Sequence, residues 1–298
     1  MESNPFIVAN TLPMSLKEIQ DNHIIPVFTK DNSPLISQSQ LVETTQETLV
    51  SLGYEPSEPE IRVSHPIMGR TPEARFKQAA ELLPHEVTLY YERMMFLIKL
   101  PRIKSQINGN ELSLVVGGIK SYAWDNLGRD HKANQHFKFF VGFQVWVCSN
   151  LCVSSDGVVL ELKANSPNLI NAQIQEMLKV YNPEKHLGWL EKLENYSLSC
   201  SQFAHFIGKC SMQPFADDAP QMALTSSQVS SVVKGYYGDP NFSQNQGEIN
   251  LWSLYNLITE ANKSSYIDGF LDRGITGERI VDDLSSSLSS GTQSWYLN

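Results

Sequence analysis

The chain has 298 residues, of which 41% are hydrophobic and 18% are charged; this is an ordinary globular composition, which excludes a disordered or fibrous class. Its formal net charge of −9 argues against a surface coated in basic residues for duplex DNA. The sequence contains no apolar run long enough for a membrane span and no secretion-signal pattern, and its four cysteines are too few for a disulfide framework. We therefore expect reduced thiols, no membrane partner and a cytoplasmic location.

The secondary structure of the first third of the chain is predicted from the positions of its prolines and the spacing of its apolar residues. Four prolines within residues 1–36 favour an extended N-terminal arm. Residues 37–52 show helical spacing, with Gly53 placed as a C-terminal cap. A short strand is expected around residues 61–64, and Thr71-Pro72-Glu73 is typical of a helix start with proline at its first position.

The middle of the chain is rich in β-branched and aromatic residues. The runs VTLYYERMMFLIKLP and ELSLVVGGIKSY predict two long strands joined at Asn108-Gly109. HFKFFVGFQVWVCSN predicts the next strand, and VVLELKA, set off by Asp156-Gly157, predicts another.

After residue 166 the apolar period changes from that of a strand to that of a helix. Five helical segments follow, and Thr225 and Gln228 have capping-box spacing. We predict an α+β fold with antiparallel strands between about residues 59 and 165 and a helical half from 166 to 283. Residues 37–283 would form a single domain, and the Ser-rich residues 284–298 would form a frayed tail.

Cysteine and glycine patterns give no catalytic centre, metal site or cofactor. Cys148 and Cys152 sit at a predicted strand end, a poor place for tetrahedral zinc ligands, so both are expected to be reduced and metal-free. Gly117-Gly118 precedes Lys120 without a phosphate-loop motif, which favours a bulge or a close backbone approach.

Aromatic and basic residues are interleaved through the predicted strands of residues 59–140. This segment contains 12 Lys and Arg residues and 8 Asp and Glu residues, so it is net basic. Single-strand binders stack bases on such rings and track the backbone with Lys and Arg, although half of any such strand set also belongs to a core. The candidate nucleic-acid-binding residues are Arg62, Arg70, Tyr90, Tyr91, Arg93, Lys120, Tyr122, Trp124, Arg129, Lys132 and Lys138.

A second candidate site lies between the two halves. In INLWSLYNLITEANK, one apolar helix face is flanked by a stripe of Trp252, Asn256, Thr259 and Lys263. These side chains are either structural brackets or a ligand site completed by the strand residues Gly117, Gly118, Asn150 and Asp156 together with Lys120. The second alternative requires Asn256 to lie near Gly118 and Lys120.

Several of these segments resemble those of known protein families. Six segments closely resemble an uncharacterised Bacteroides family of unknown function, over about residues 20–280: EIRVSHPIMGRTPEA, YYERMMF, INGNELSLVVGGIKSYAWDNL, HFKFFVGFQVWVCSNLCVSSDG, QFAHFIGKC and INLWSLYNLITEANKSSYIDGFLDR. More distantly, the strand end Val-Cys-Ser-Asn and the pattern of Trp252, Asn256, Thr259 and Glu260 resemble phage/plasmid-like proteins of mobile elements. That second resemblance implies an accessory role on such elements.

Three functions stay open at this point. The first is a non-catalytic mobile-element accessory protein that binds single-stranded DNA or RNA through the basic middle segment. The second is a protein-interaction module that modulates host defence or restriction, whose acidic flanks meet a basic host or element-encoded protein. The third is an enzyme of unfamiliar type, which the missing motifs disfavour. A homo-oligomer is compatible with all three.

Overall fold

The computed structural model describes residues 4–22, 36–74, 76–127, 134–221, 223–243 and 247–298. Its centre is a six-stranded antiparallel sheet in the order β1-β2-β5-β6-β7-β8. The strands of this sheet are β1 (Leu12–Met14), β2 (Glu60–Val63), β5 (Arg93–Ile107), β6 (Asn110–Ser121), β7 (Gln135–Val145) and β8 (Leu151–Ala164). Two small ribbons add β3 (Pro66–Arg70) with β4 (Val87–Tyr91) and β9 (Ser197–Leu198) with β10 (Ile249–Asn250).

Most helices follow the sheet in the chain, which confirms the predicted α+β class. The α-helices are α1 (Leu16–Asn22), α2 (Gln38–Ser51), α3 (Tyr122–Leu127), α4 (Pro167–Val180), α5 (Pro183–Lys192), α6 (Cys200–Met212), α7 (Ser226–Gly238), α8 (Leu251–Asn262) and α9 (Ile267–Ser290). Local signals set several ends: Thr225 and Gln228 form the predicted capping box of α7, and Gly53 at φ +84° ends α2. Asn108 and Gly109, both with positive φ, make the predicted β5–β6 turn.

Both faces of the sheet are covered. On one face Phe96, Val116 and Phe139 pack in the large core with apolar residues of α2 and α4. On the other face, here called the α9 face, a second core joins Met95, Val115 and Phe140 to Ile267, Phe270 and Leu271 of α9 and to Phe6 and Ile7. Coverage on both sides explains why the strands are almost continuously apolar.

The β3–β4 ribbon extends the β2–β5 pair beyond the sheet, and its tip differs from the prediction. Thr71-Pro72-Glu73 starts no α-helix; residues Pro72–Ala74, Ala79–Glu81 and Pro84–Glu86 form single 3-10 turns instead. A helix is stable mainly through an apolar face packed on a core, and this tip has almost no core of its own.

The two chain ends are also more ordered than expected. Phe6 and Ile7 are buried and β1 joins the sheet, so the predicted N-terminal arm is partly packed. Helix α9 continues past residue 283 to Ser290 and ends at Gly291, which has φ +70°. Tyr296 then packs on Phe206 in the core. Tertiary packing therefore overrides the low helix propensity of the Ser-rich segment.

Helix α8 is buried on nearly all sides, between the sheet and the other helices of the second half. The predicted apolar stripe is buried, and so are Trp252, Asn256, Thr259 and Lys263 on the neighbouring stripe. A helix enclosed all round is a core element, so its polar side chains must find partners inside the protein.

Candidate functional site

The predicted aromatic binders are mostly core residues. Tyr90 and Tyr91 are 9% and 7% exposed, and Tyr122 is 1% exposed. The rings of Tyr90 and Tyr122 meet edge to face with centroids 6.4 Å apart, at the base of the β3–β4 ribbon. They offer no open face for a base, so the interpretation of these three rings as stacking residues is corrected to a packing role.

The predicted basic binders are spread over several contacts. Arg62 donates to Thr11 Oγ1 at 3.1 Å, and Arg70 donates to the Lys77 carbonyl. Arg93 pairs with Asp268 and, at 2.5 Å, with Glu92. The structure does not gather these three arginines into one basic track, and Arg129 and Lys132 lie outside the described residues.

Lys120 is inside the protein. Its side chain is fully buried, with Nζ 3.2 Å from Gln135 Oε1 and 4.4 Å from the centre of the Phe137 ring. An enclosed ammonium of this kind has a structural role in the core and is inaccessible to a phosphate.

Trp124 and Lys138, the two remaining candidates, do come together in an open groove on the α9 face of the sheet. The groove has a volume of about 320 Å³ and is lined by Trp124, His136, Lys138, Leu160, Glu161 and Lys163. Helix α3 follows β6 directly and places the half-buried Trp124 beside β7. The ammonium of Lys138 lies 5.1 Å from the centre of the indole ring.

Strand register explains why basic groups concentrate in this groove. His136 on β7 is directly opposite Lys163 on β8, and Lys138 follows two residues along on the same face of β7. Lys138 is held by Asp272 at 2.6 Å and by the Asp268 carbonyl at 2.7 Å, both on α9. Within the described part of the chain, no carboxylate lies within ion-pair distance of Lys163. The Lys163 ammonium would stabilise an anion that is bound between the two strands.

The lining residues define what the groove can bind. An indole offers a face for a planar ring, while an imidazole and an ammonium on opposite strands offer donors to an anion. Glu161 limits the groove to a ligand whose negative charge can approach His136 and Lys163. A planar ligand with one anionic group fits best, and the volume is that of a small-molecule site.

The second candidate site exists in part, as a buried bracket. Asn150 Nδ2 donates to the Asn256 carbonyl at 3.0 Å, and Asn256 Nδ2 donates to the Trp252 carbonyl at 3.0 Å. Thr259 Oγ1 also donates to the Asn256 carbonyl at 3.0 Å. Lys263, 3% exposed, donates to the Cys148 carbonyl. These groups bind one another, which supports the bracket alternative.

The other members of that site lie elsewhere. Asn150 accepts the Val145 N–H at the end of the sheet where Val145 faces Leu112, whereas Lys120 faces Phe137. Positions 112 and 120 are eight residues apart on β6, which is about 27 Å along a strand. Asn256 therefore shares no ordinary pocket with Lys120.

Asp156 and the two glycines have separate roles. Asp156 makes a surface ion pair with Lys185 at 2.5 Å, and Asp156-Gly157 lies within β8 where it does not begin the strand. A Cβ on Gly117 would lie 2.2 Å from the Phe96 carbonyl oxygen, and one on Gly118 3.0 Å from the Lys138 carbonyl oxygen. The close-approach interpretation of Gly117-Gly118 is confirmed.

The cysteines are unbridged. Burial raises the pKa of Cys148 to about 11 and that of Cys210 to about 12, and it holds the pKa of Cys152 well above its usual value. Such thiols are poor nucleophiles at neutral pH. Over the described ranges, no cluster of three or more His, Cys, Asp or Glu side chains is placed to hold a metal ion. Nor does any described helix have the length and apolarity that a membrane crossing needs.

Comparison with known families gives a match over nearly the whole chain. A model described as a domain of unknown function, B. Theta gene description (DUF3871), covers residues 1–297. The chain belongs to the DUF3871 family. The match confirms the family of unknown function expected from the sequence and reaches further than the segments that suggested it. No curated protein and no solved structure matches the chain.

Sequence reasoning missed three features of the DUF3871 chain. It did not place His136 or Lys163 among the candidate site residues, because their pairing depends on the β7–β8 register, which shifts between Phe137 and Phe139. It also passed over Trp146, whose ring is 55% exposed at the opposite end of the sheet from Trp124. The signal for Trp146 was its position directly after an apolar strand, as the first residue of a turn.

Proposed function

We propose that this DUF3871 protein is a non-catalytic binder of single-stranded nucleic acid that holds one nucleotide in the Trp124 groove. The observation that carries the proposal is the facing pair of His136 and Lys163 beside an accessible indole. In this arrangement a base stacks on Trp124 while its phosphate lies between the two basic side chains.

The fold favours a local contact over a long binding platform. Helices cover both sheet faces. Next to the groove, Asp268 and Asp272 of α9 form ion pairs with Arg93 and Lys138. A base in a duplex cannot reach the indole without leaving its stack, so the ligand is a single strand or a strand end. Few phosphates are neutralised, which predicts a shallow dependence of affinity on salt.

The cellular setting is part of the proposal. A cytoplasmic accessory protein of phage, plasmids or integrated elements would meet single strands during transfer or recombination. The motif that carries the mobile-element resemblance, Trp252, Asn256, Thr259 and Glu260, belongs to the buried α8 bracket and its neighbourhood. The motif therefore lies in the core of the protein, and the binding chemistry is assigned to the groove.

The test measures fluorescence anisotropy of a short labelled oligothymidylate, with duplex DNA and RNA in parallel. Trp124→Ala should weaken binding by about tenfold or more, because stacking on an aromatic ring contributes about 1–3 kcal/mol per base. Lys163→Ala should lower the slope of log affinity against log salt by about 1. Lys179→Ala, an exposed lysine on α4, is the matched control and should change neither quantity.

Two outcomes would contradict the proposal. Absence of binding to any single strand at low salt removes the function. Tight binding that neither groove variant changes would show that the groove is not the binding site and that another surface binds the oligonucleotide.

A second candidate, the protein-interaction module, has one specific observation in its favour. The ribbon tip exposes Met68, Phe76 and Leu83 at 74%, 85% and 49%. Exposed apolar side chains on a two-stranded ribbon suit docking to a host or element-encoded protein. A photo-crosslinker at position 68 should then trap a discrete partner in host cells, and Phe76→Ser should abolish that product without changing oligonucleotide binding.

A further inference from the structure

The Trp124 groove changes charge along its length. On β8 it is lined by Glu161 and Lys163, which are both exposed and lie two residues apart. Among the residues that the structure describes, Glu161 forms no ion pair with a cation and Lys163 forms none with a carboxylate, so the two side chains do not pair with each other. The groove therefore contains a positive and a negative group that are held separately on one strand.

The strand register sets the order of these charges along the sheet. Lys163 lies opposite His136 close to the point where β8 ends, which makes this pair the outer end of the groove. Lys138, two residues further along β7, faces the bulge of β8 that contains Glu161. The next residue of β7 on the same face, Phe140, already belongs to the core beneath α9. Glu161 and Lys138 therefore lie at the inner end.

Helix α9 closes the inner end of the groove. Its Asp272 carboxylate and its Asp268 carbonyl accept hydrogen bonds from the ammonium of Lys138 at 2.6 and 2.7 Å, so the charge of this lysine is already compensated. Phe270 of the same helix packs in the core behind this contact. The charge that remains at the inner end is the carboxylate of Glu161. The groove thus runs from an open basic end to a closed acidic end.

This order of charges determines which part of a nucleic-acid strand can enter. Glu161 is two residues, or about 7 Å, further along β8 than Lys163. Successive phosphates of an extended strand are a similar distance apart, so a second phosphate that followed the groove inward would meet the carboxylate. Like charges placed together across an interface disfavour the complex. A strand that passes through the groove is therefore disfavoured, whereas a strand that ends in the groove is not.

The group that suits Glu161 is a hydrogen-bond donor. An ionised carboxylate only accepts hydrogen bonds, and carboxylates bind sugar hydroxyls in nucleotide sites. The last nucleotide of a strand has a hydroxyl where the next phosphate would be, on the far side of the sugar from the phosphate that links it to the strand. A groove volume of about 320 Å³ suits one such nucleotide.

We propose that the groove binds the hydroxyl end of a single strand. The last base stacks on Trp124, its linking phosphate lies between His136 and Lys163, and its terminal sugar hydroxyl donates to Glu161. The rest of the strand leaves the groove at the open basic end. The inference rests on the function proposed above and adds the part of the strand that is recognised. The 3′ and the 5′ end can both carry such a hydroxyl, and the test separates them.

The test compares unlabelled oligothymidylates of one length by isothermal titration calorimetry at low salt. The set contains a strand with hydroxyls at both ends, strands with a phosphate at the 3′ end, at the 5′ end or at both ends, and a closed circle. The strand with two terminal phosphates and the circle should each bind at least about tenfold more weakly than the strand with two hydroxyls. Of the two singly phosphorylated strands, the weaker binder identifies the end that the groove recognises.

Glu161→Gln tests whether this carboxylate causes the preference. The variant removes the negative charge from an exposed side chain and keeps its shape, so it should bind hydroxyl-ended and phosphate-ended strands with nearly equal affinity. Glu176→Gln makes the same change at an exposed position of α4 and should retain the preference. Equal affinity of the wild-type chain for linear and circular strands, or a preference that survives Glu161→Gln, would overturn the inference and leave single-strand binding in place. Absence of binding to every strand would instead remove the proposed function, and the inference with it.

Discussion

The two ends of the α9 face each place an indole beside lysine ammonium groups, yet they have different chemistry. At one end Trp124 lines a groove together with Lys138 and Lys163. At the other end Trp146 lies on the surface between Lys99 and Lys104, each paired with a glutamate. The same residue types thus build a groove that contains Lys163, which has no ion pair among the described residues, and an exposed surface whose two lysines are each paired with a glutamate.

The difference shows that composition along a strand does not define a site. What separates the two ends is shape and the pairing of each cation, and both depend on neighbouring elements. Helix α9 supplies the acids at the groove end, and α8 supplies the bracket beneath the turn. Between the ends, the middle of the sheet is packed so closely that the two surfaces are held apart as a rigid unit.

The largest expected effect comes from breaking that rigid middle. Gly117→Ala puts a Cβ about where the Phe96 carbonyl oxygen and the Phe140 ring already lie, at 2.2 and 2.5 Å. We expect a loss of about 3 kcal/mol or more in the free energy of unfolding, because backbone on one side cannot move away. Denaturant unfolding measures it. Gly188→Ala in α5, where nothing lies within 4 Å, is the control and should be neutral or slightly stabilising. Equal effects at the two glycines would contradict the close packing.

Low pH should lower the stability of the fold through the buried side chain of His186. This side chain packs on Phe143 and bonds to Tyr181 Oη at 2.7 Å; burial lowers its pKa from 6.5 to about 4. The unfolded chain takes up a proton below pH 6.5 that the native chain resists, so stability falls as the pH drops from about 6.5 to about 4. The full effect is about 3 kcal/mol.

His186→Gln isolates this contribution. The difference in melting temperature between the variant and the wild-type chain should change across that pH window and be constant above it. His205→Gln, at an exposed position of α6, should follow the wild-type curve. A pH-independent difference for His186→Gln would show that the imidazole is not held neutral.

A smaller effect is expected from the bracket. Asn256→Ala removes the side-chain bond to the Trp252 carbonyl and one of the two contacts with Asn150, leaving buried polar groups short of partners. The cost should be about 1–3 kcal/mol in unfolding free energy. Asn168→Ala on the exposed side of α4 should change stability by less than about 0.5 kcal/mol. Unchanged stability in Asn256→Ala together with lost oligonucleotide binding would restore the ligand-site alternative.

Local signals in the sequence predicted much of the fold and little of the site. The change of period near residue 166, the Asn108-Gly109 turn and the Thr225 cap act over a few residues, so they can be read without knowing the tertiary structure. The burial of Tyr122 and Lys120 could not be predicted from the sequence. A strand that is covered on both faces and a strand with an open aromatic face have the same sequence pattern of apolar and aromatic residues. The facing of His136 and Lys163 depends on a register shift between distant segments.

The indole N–H spectrum tests the central claim most directly, because the chain contains five tryptophans and so gives five assignable signals. Titration of the ¹⁵N-labelled protein with a short oligothymidylate should shift the Trp124 signal in a saturable manner and leave the Trp146 signal unchanged. The shift should disappear in Lys163→Ala at the same oligonucleotide concentration. A Trp124 signal that stays fixed while the oligonucleotide binds, or while Trp146 moves, would contradict the assignment of the groove as the nucleotide site.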